Sequence, residues 1–292
     1  MRKLLFLLMA VSLVSCSALK KTPLSQEAAE KALQKKNYTE ALSILESLIV
    51  TYEAAGQADT TTLYEKAGHV ALLVGDTAKA ETYYKLSIYY KTATPAPYVF
   101  LADYYQKAEN LSKEVMALEG LVQQHPASAE AQEKLPKLFQ LYVETAQWEL
   151  ATSTWPKLLP EQQNDKALLL DWLSVCKKND DVTSADQAAA AILVFDKRNP
   201  EALTYEAKRY YEKAETRYQR EMKAYEDNKT RAQYATLVKE LELSTADYKK
   251  ALSRFESLYK TLPDADLALY ISNIYARFGD EKNAKRYRRL LR

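Results

Sequence analysis

Nucleophile or metal chemistry would start at histidine or cysteine, and this sequence has two of each: His69, His125, Cys16 and Cys176. A zinc-hydrolase pair needs two histidines four residues apart with a carboxylate between them, because that spacing puts both rings on one helix face. In this chain 56 residues separate them, and His125 stands directly before Pro126. No Cys-x-x-Cys, Gly-x-Ser-x-Gly or Gly-x-x-x-x-Gly-Lys pattern occurs. The acidic run Asn179-Asp180-Asp181 with Asp186 lacks the central glycine and closing glutamate of a calcium loop. It reads instead as the cap of a helix starting near Thr183. Cys176 ends the apolar run 168–175 and reads as a small buried hydrophobe. The chain offers no catalytic residues, no metal ligands and no cofactor, and reads as a non-enzyme.

The elements available to position a site point the same way. Glycine occurs 5 times and proline 9 times in 292 residues, against an average usage of about 12% for the two together. Sheets and phosphate loops need glycine where the backbone takes positive φ. Alanine, leucine, lysine, glutamate and tyrosine fill the space, which predicts an all-α protein. A hydrophobic fraction of 47% supplies a core and excludes wholesale disorder.

The first residues carry an address. Arg2 and Lys3 precede an apolar run, 4–14, that is half a bilayer core in length as a helix. That length suits an export signal better than a membrane anchor. The run ends Leu13-Val14-Ser15-Cys16, which resembles the lipobox of bacterial lipoproteins. The resemblance implies a signal peptide over 1–15, diacylglycerol and palmitate-type acylation on Cys16, and a lipidated tether over 16–24. It also implies membrane attachment, since two or three acyl chains anchor stably. Serine at position 17 favours passage to the outer membrane under the enterobacterial sorting rule, with the periplasmic side expected and the cell surface as the alternative.

Without residues 1–15 the chain is neutral, but its charge is unevenly placed. Residues 16–196 hold 17 lysines, no arginine and 24 acids, whereas 197–292 hold 22 basic and 15 acidic residues. Every arginine except Arg2 lies in that second part. Such asymmetry marks different surfaces for different neighbours. Arg286, Arg288 and Arg289 crowd the C-terminus and are the candidate contacts for an acidic partner or anionic lipid; nucleic acid is not expected.

Internal repetition organises the rest. Tyr64, Ala67-Gly68, Ala71, Gly75-Asp76, Ala80 and Tyr84 are matched by Tyr98, Leu101-Ala102, Tyr105, Leu118 and Leu121, and again by Ala268, Ile271, Tyr275-Ala276, Gly279-Asp280 and Ala284. Small residues let two helix backbones close up while bulky ones fill the gaps between hairpins. Alanines that open second helices fall at 41, 80, 151, 188, 251 and 284, with Glu114 in register. These segments resemble the tetratricopeptide repeat (TPR). The resemblance covers 25–292 and implies a right-handed α-solenoid of roughly 12–15 helices. Between 188 and 251 the spacing nearly doubles. Pro200 opens an unbroken helical pattern to Asp227, a turn follows at 228–230, and a second helix is expected to end near Leu243 with Thr245 capping the next. Residues 200–243 therefore read as elongated, irregular helices.

Twenty-two tyrosines exceed what the repeat positions use. Tyr83, Tyr89, Tyr90 and Tyr104 fit the core register poorly and are candidates for lining a concave groove. The fold resemblance implies a membrane-anchored scaffold for protein–protein interaction in the cell envelope of a diderm bacterium, whose partners are envelope proteins or peptide segments. A structural subunit of an outer-membrane assembly or transport complex and a glycan-binding surface lipoprotein are the alternatives.

Overall fold

The computed structural model describes residues 25–291, so the signal, the tether and Cys16 lie outside the described residues. Among those described, every regular element is helical: fifteen α-helices and three short 3-10 turns. None of these helices is long and apolar enough to cross a membrane.

The chain divides into two compact units, the first ending at Leu121 and the second beginning at Val122. The first holds α1 (Gln26–Gln34), α2 (Tyr38–Ala54), α3 (Leu63–Val74), α4 (Thr77–Tyr89), α5 (Pro95–Lys107) and most of α6 (Leu111–Gln124). The second holds α7 (Ala129–Glu144), α8 (Trp148–Thr154), α9 (Pro160–Gln163), α10 (Lys166–Lys178), α11 (Val182–Phe195), α12 (Pro200–Asp227), α13 (Arg231–Thr261), α14 (Ala265–Arg277) and α15 (Glu281–Arg288). Each unit is built of TPR-like hairpins. α1 packs on α2, α3 on α4, α10 on α11 and α14 on α15, while α2–α3, α4–α5, α11–α12 and α13–α14 join successive hairpins.

One turn design closes six of the hairpins. A residue with φ between 52° and 87° ends the first helix: Lys36, Gly75, Glu109, Ala146, Asp180 or Gly279. Only two of these are glycine, the residue that adopts this conformation without steric cost. The next residue caps the second helix. The side chains of Asn37, Asp76, Asn110, Asp181 and Asp280 each accept the backbone N–H three residues on, the favoured use of Asn and Asp at this position. One turn later comes the register residue, whose own N–H reaches the cap carbonyl. It is Ala41, Ala80, Glu114, Ala151, Ala185 or Ala284, and all six are buried. The structure moves one expected position: Asp181, within the expected acidic cap, precedes a helix that begins at Val182, so Ala185, not Ala188, is the register residue of α11. Ala188 is buried as well, one turn further along the same face.

Close packing within hairpins rests on two glycines. A Cβ on Gly68 in α3 would lie 2.7 Å from the Tyr84 ring of α4, and one on Gly120 in α6 would lie 2.8 Å from the Tyr98 ring of α5. Either contact forces the ring to move inside a packed core. Gly68→Ala and Gly120→Ala should each lower the first unit's stability by about 1–3 kcal/mol despite alanine's better helix propensity. Urea titration of each variant checks this.

The long hairpin departs from expectation. α13 is one continuous helix of 31 residues that neither ends near Leu243 nor restarts at Thr245. No glycine or proline interrupts 231–261, and the Ser244 and Thr245 hydroxyls bond back to the Glu240 and Leu241 carbonyls at 3.0 and 2.8 Å. A threonine so engaged propagates a helix instead of capping one. α12 and α13 are therefore elongated but regular. Ala251, taken as a helix opening, sits fully buried in mid-helix. Between residues 219 and 243 only Glu221 and Leu237 are buried, so the far half of this hairpin leaves most of its surface to solvent.

Candidate interaction surfaces

The tyrosines are the first test of a binding face. Tyr64 of α3 donates to Glu53 of α2 at 2.9 Å, Tyr105 of α5 to Glu81 of α4 at 2.8 Å, Tyr205 of α12 to Asp186 of α11 at 2.7 Å, and Tyr275 of α14 to Glu256 of α13 at 2.6 Å. Each bond runs from the first helix of one hairpin to the second helix of the hairpin before it. The recurring separation of 19 residues in the last two pairs is the one sequence signal that would have exposed this ladder. Burial, then the adjoining carboxylate, raises the phenol pKa of Tyr64, Tyr105 and Tyr205; for Tyr275 the bond to Glu256 comes first.

These tyrosines predict an alkaline limit to stability. A phenol held protonated in the fold gives its full contribution below the unfolded value of about 10 and loses it as pH rises from there toward the folded value. Each such group costs about 1.4 kcal/mol per pH unit in that window. The melting temperature should be flat from neutral pH to about pH 10 and then fall steeply. Phenylalanine at 64, 105, 205 and 275 should flatten that fall.

The four tyrosines expected to share a groove sit in three separate clusters. Tyr83 donates to Glu46 of α2 at 3.0 Å, beside Lys79, whose ammonium reaches the same oxygen at 2.8 Å. It belongs to the packing of one second helix on the next. Tyr90 stacks on Tyr64 at 5.2 Å and meets Tyr89 edge-on at 5.0 Å. Tyr104 stacks on Phe100 and tilts against Tyr105. Of the four, Tyr89 is the most open to solvent, 76% exposed.

A groove does exist in the first unit, lined by other residues. It occupies about 400 Å³ between α1 and α3, with Ala29, Leu33, Leu45 and Val70 as its apolar floor. Gln26, Glu30, Glu65, Lys66 and His69 form the rim. Lys66 is held by Gln26 at 2.9 Å and lies 3.9 Å from Glu30. Glu65 accepts both the N–H and the hydroxyl of Thr94 at 2.9 and 2.6 Å. The rim is fixed before any ligand arrives. Nothing in the sequence pattern singled these residues out, since the floor positions read simply as core.

Two sets of arginines stand out. Arg209 pairs with Asp186 at 3.4 Å, Arg217 with Asp247 at 2.9 Å, Arg220 with Glu221 at 2.7 Å and Arg254 with Glu206 at 2.6 Å. Arg277 of α14 pairs with Glu215 of α12, which also accepts the Tyr248 hydroxyl. Arg277 and Arg254 further lie over the Tyr218 and Tyr210 rings at 4.2 and 4.8 Å. Four of these arginines hold α11 to α14 together, and Arg220, paired within α12, also reaches Glu240 of α13 at 3.8 Å. Arg286, Arg288 and Arg289 are exposed on or just after α15, and no carboxylate pairs with them among the described residues.

Neither metal nor thiol chemistry emerges. Among the described residues no three histidine, cysteine or carboxylate side chains converge on a point. Cys176 is 1% exposed, and burial pushes its thiol pKa up to about 12. A thiol so protonated is inert toward electrophiles.

No family model matches the chain, and no curated protein does so by sequence. Solved structures are similar in fold. A Bacteroides ovatus protein shares 15% identity over 65% of this chain and 100% of its own, with a TM-score of 0.48. The C-terminal part of a TPR repeat-containing protein from Cytophaga hutchinsonii shares 13% over 91% of this chain and 94% of its own, at 0.43. YrrB, described as a TPR protein with an unusual peptide-binding site, shares 15% over 71% and 90%, also at 0.43. At these identities and scores no function passes from them to this chain.

Proposed function

We propose that this protein is a lipid-anchored, non-catalytic scaffold that holds a segment of another envelope protein in the groove between α1 and α3. That groove is the observation that carries the reading. An apolar floor beside a few fixed polar groups is the general design of a binding cleft, and its rim side chains are already oriented by their own hydrogen bonds. Leu13-Val14-Ser15-Cys16 supports anchoring through Cys16, and Ser17 supports the outer membrane of a diderm bacterium, on its periplasmic side.

Two substitutions test the parts separately. Cys16→Ala should abolish labelling by a fatty-acid analogue; continued labelling of that variant contradicts the anchor. Leu33→Arg with His69→Glu places charge in the groove without touching a fully buried position. Capture of a partner from solubilised membranes should fall more than about tenfold with helical content unchanged, as expected for loss of a few kcal/mol at a contact centre. Unchanged capture rules the groove out. A single partner recovered in equal amount would make the chain a subunit of an assembly complex.

A further inference from the structure

The outer face of α15 is cationic throughout. Its inner side is anchored: Ala284 is 2% exposed, its carbonyl accepts the Ser272 hydroxyl at 2.9 Å, and Tyr287 packs on Tyr275 and Tyr259. Opposite that side, at i, i+3, i+4 and i+7, lie Lys282, Lys285, Arg286 and Arg289, all exposed. Arg288 flanks them, and Leu290 next to them is 49% exposed. The nearest carboxylate, Glu281, makes a solvent-exposed pair with Lys285 at 3.7 Å. Asp280 is committed to capping the helix.

Structural needs do not account for this row. Cations near a helix C-terminus gain about 0.3–1 kcal/mol from the macrodipole, but the benefit is confined to the last turn. Lys282 sits in the first turn, where the same field opposes it. The arginines that the fold requires are paired, as Arg277 is with Glu215 one helix earlier. A terminal repeat needs only a polar outer face for solubility, which mixed charges would provide.

We infer that the outer face of α15 docks on an anionic bilayer surface. A convex row of four exposed cations, of which only Lys285 meets a carboxylate, ends in an exposed leucine and matches a planar array of phosphates, with the apolar residue at the level of the headgroups. An acidic peptide would instead need a cleft with directional partners, and this face of α15 is the outside of a helix. The inference is independent of the groove.

The test uses the full chain with vesicles of phosphatidylcholine alone or with about one-third phosphatidylglycerol, where each cation near the surface contributes roughly a fivefold gain in partitioning. Arg2, Lys3 and the apolar segment that follows them are the same in every variant, so the change in the ratio of the two partition coefficients between variants isolates the α15 charges. The wild-type chain should prefer anionic vesicles about a hundredfold or more at low salt and lose that preference as salt shortens the screening length. K285Q/R286Q/R289Q should lower the ratio by about a hundredfold with an unchanged circular dichroism spectrum. R286K/R289K keeps both the charge and the helix and should retain the preference. A glutamine variant whose ratio stays at the wild-type value overturns the inference. So does a lysine variant that loses the preference.

Discussion

Removing residues 264–292 should cost the second unit more than about 5 kcal/mol, an amount comparable to the whole stability of many domains. α14 supplies Leu267, Ile271 and Ile274 to a core completed by Tyr248, Ala251, Phe255 and Leu258 of α13 and by Ala207 and Ala214 of α12. Without it Phe255, fully buried, and Leu258, 3% exposed, face water, at about 1.5–3 kcal/mol for each large side chain. The Tyr275–Glu256 and Arg277–Glu215 bonds vanish with it. In stacked repeats each hairpin is covered by its neighbour, so loss of the terminal one exposes an apolar face. Sedimentation should find aggregates, and hydrogen exchange should find α12 and α13 unprotected while α1 to α5 stay protected. A truncated chain that is monomeric and equally stable would contradict stacking of the last hairpin on α13.

Glu215→Ala should lower stability by about 3 kcal/mol, far more than a surface carboxylate would. Glu215 accepts from Tyr248, Arg277 and Gln219, so its loss strands a buried phenol and an exposed guanidinium where three helices meet. Glu215→Gln keeps an acceptor for Tyr248 but removes the ion pair, and should cost about half as much. Burial alone would raise this carboxyl's pKa, yet the bonds from Tyr248, Arg277 and Gln219 outweigh it and hold the group below the ordinary carboxylate range. Its stabilisation is therefore complete above the unfolded value of about 4.3 and is lost as pH falls through the lower folded value. Denaturant titrations from pH 3 to 7 should show a shallower acid slope for Glu215→Ala than for the wild type. Combined with Arg277→Ala, the losses should be markedly less than additive.

Much of the architecture is written locally. Small residues and capping Asn or Asp recur at one position per hairpin because a helix–turn–helix closes through contacts only a few residues apart. Asp76 and Asp280 after glycine could be read directly. Asp181, which decides between Ala185 and Ala188, was equally visible as an N-cap signal. Cys176 read as the buried hydrophobe it is.

Other features depended on residues distant in the chain. Left-handed turns at Lys36, Glu109, Ala146 and Asp180 lack glycine's signature, and the packing of the helices on either side holds them. α13 runs past Thr245 because no local signal ends a breaker-free helix, and its partner α12 is long enough to cover it. Tyr83 meets Glu46 across 37 residues and Arg277 meets Glu215 across 62, separations at which no local pattern reveals a contact. Net charge can be summed along a sequence. Which charges remain unpaired on the outer face of α15 was decided only when the helices assembled, because pairing depends on distance in space and the chain order carries none of it.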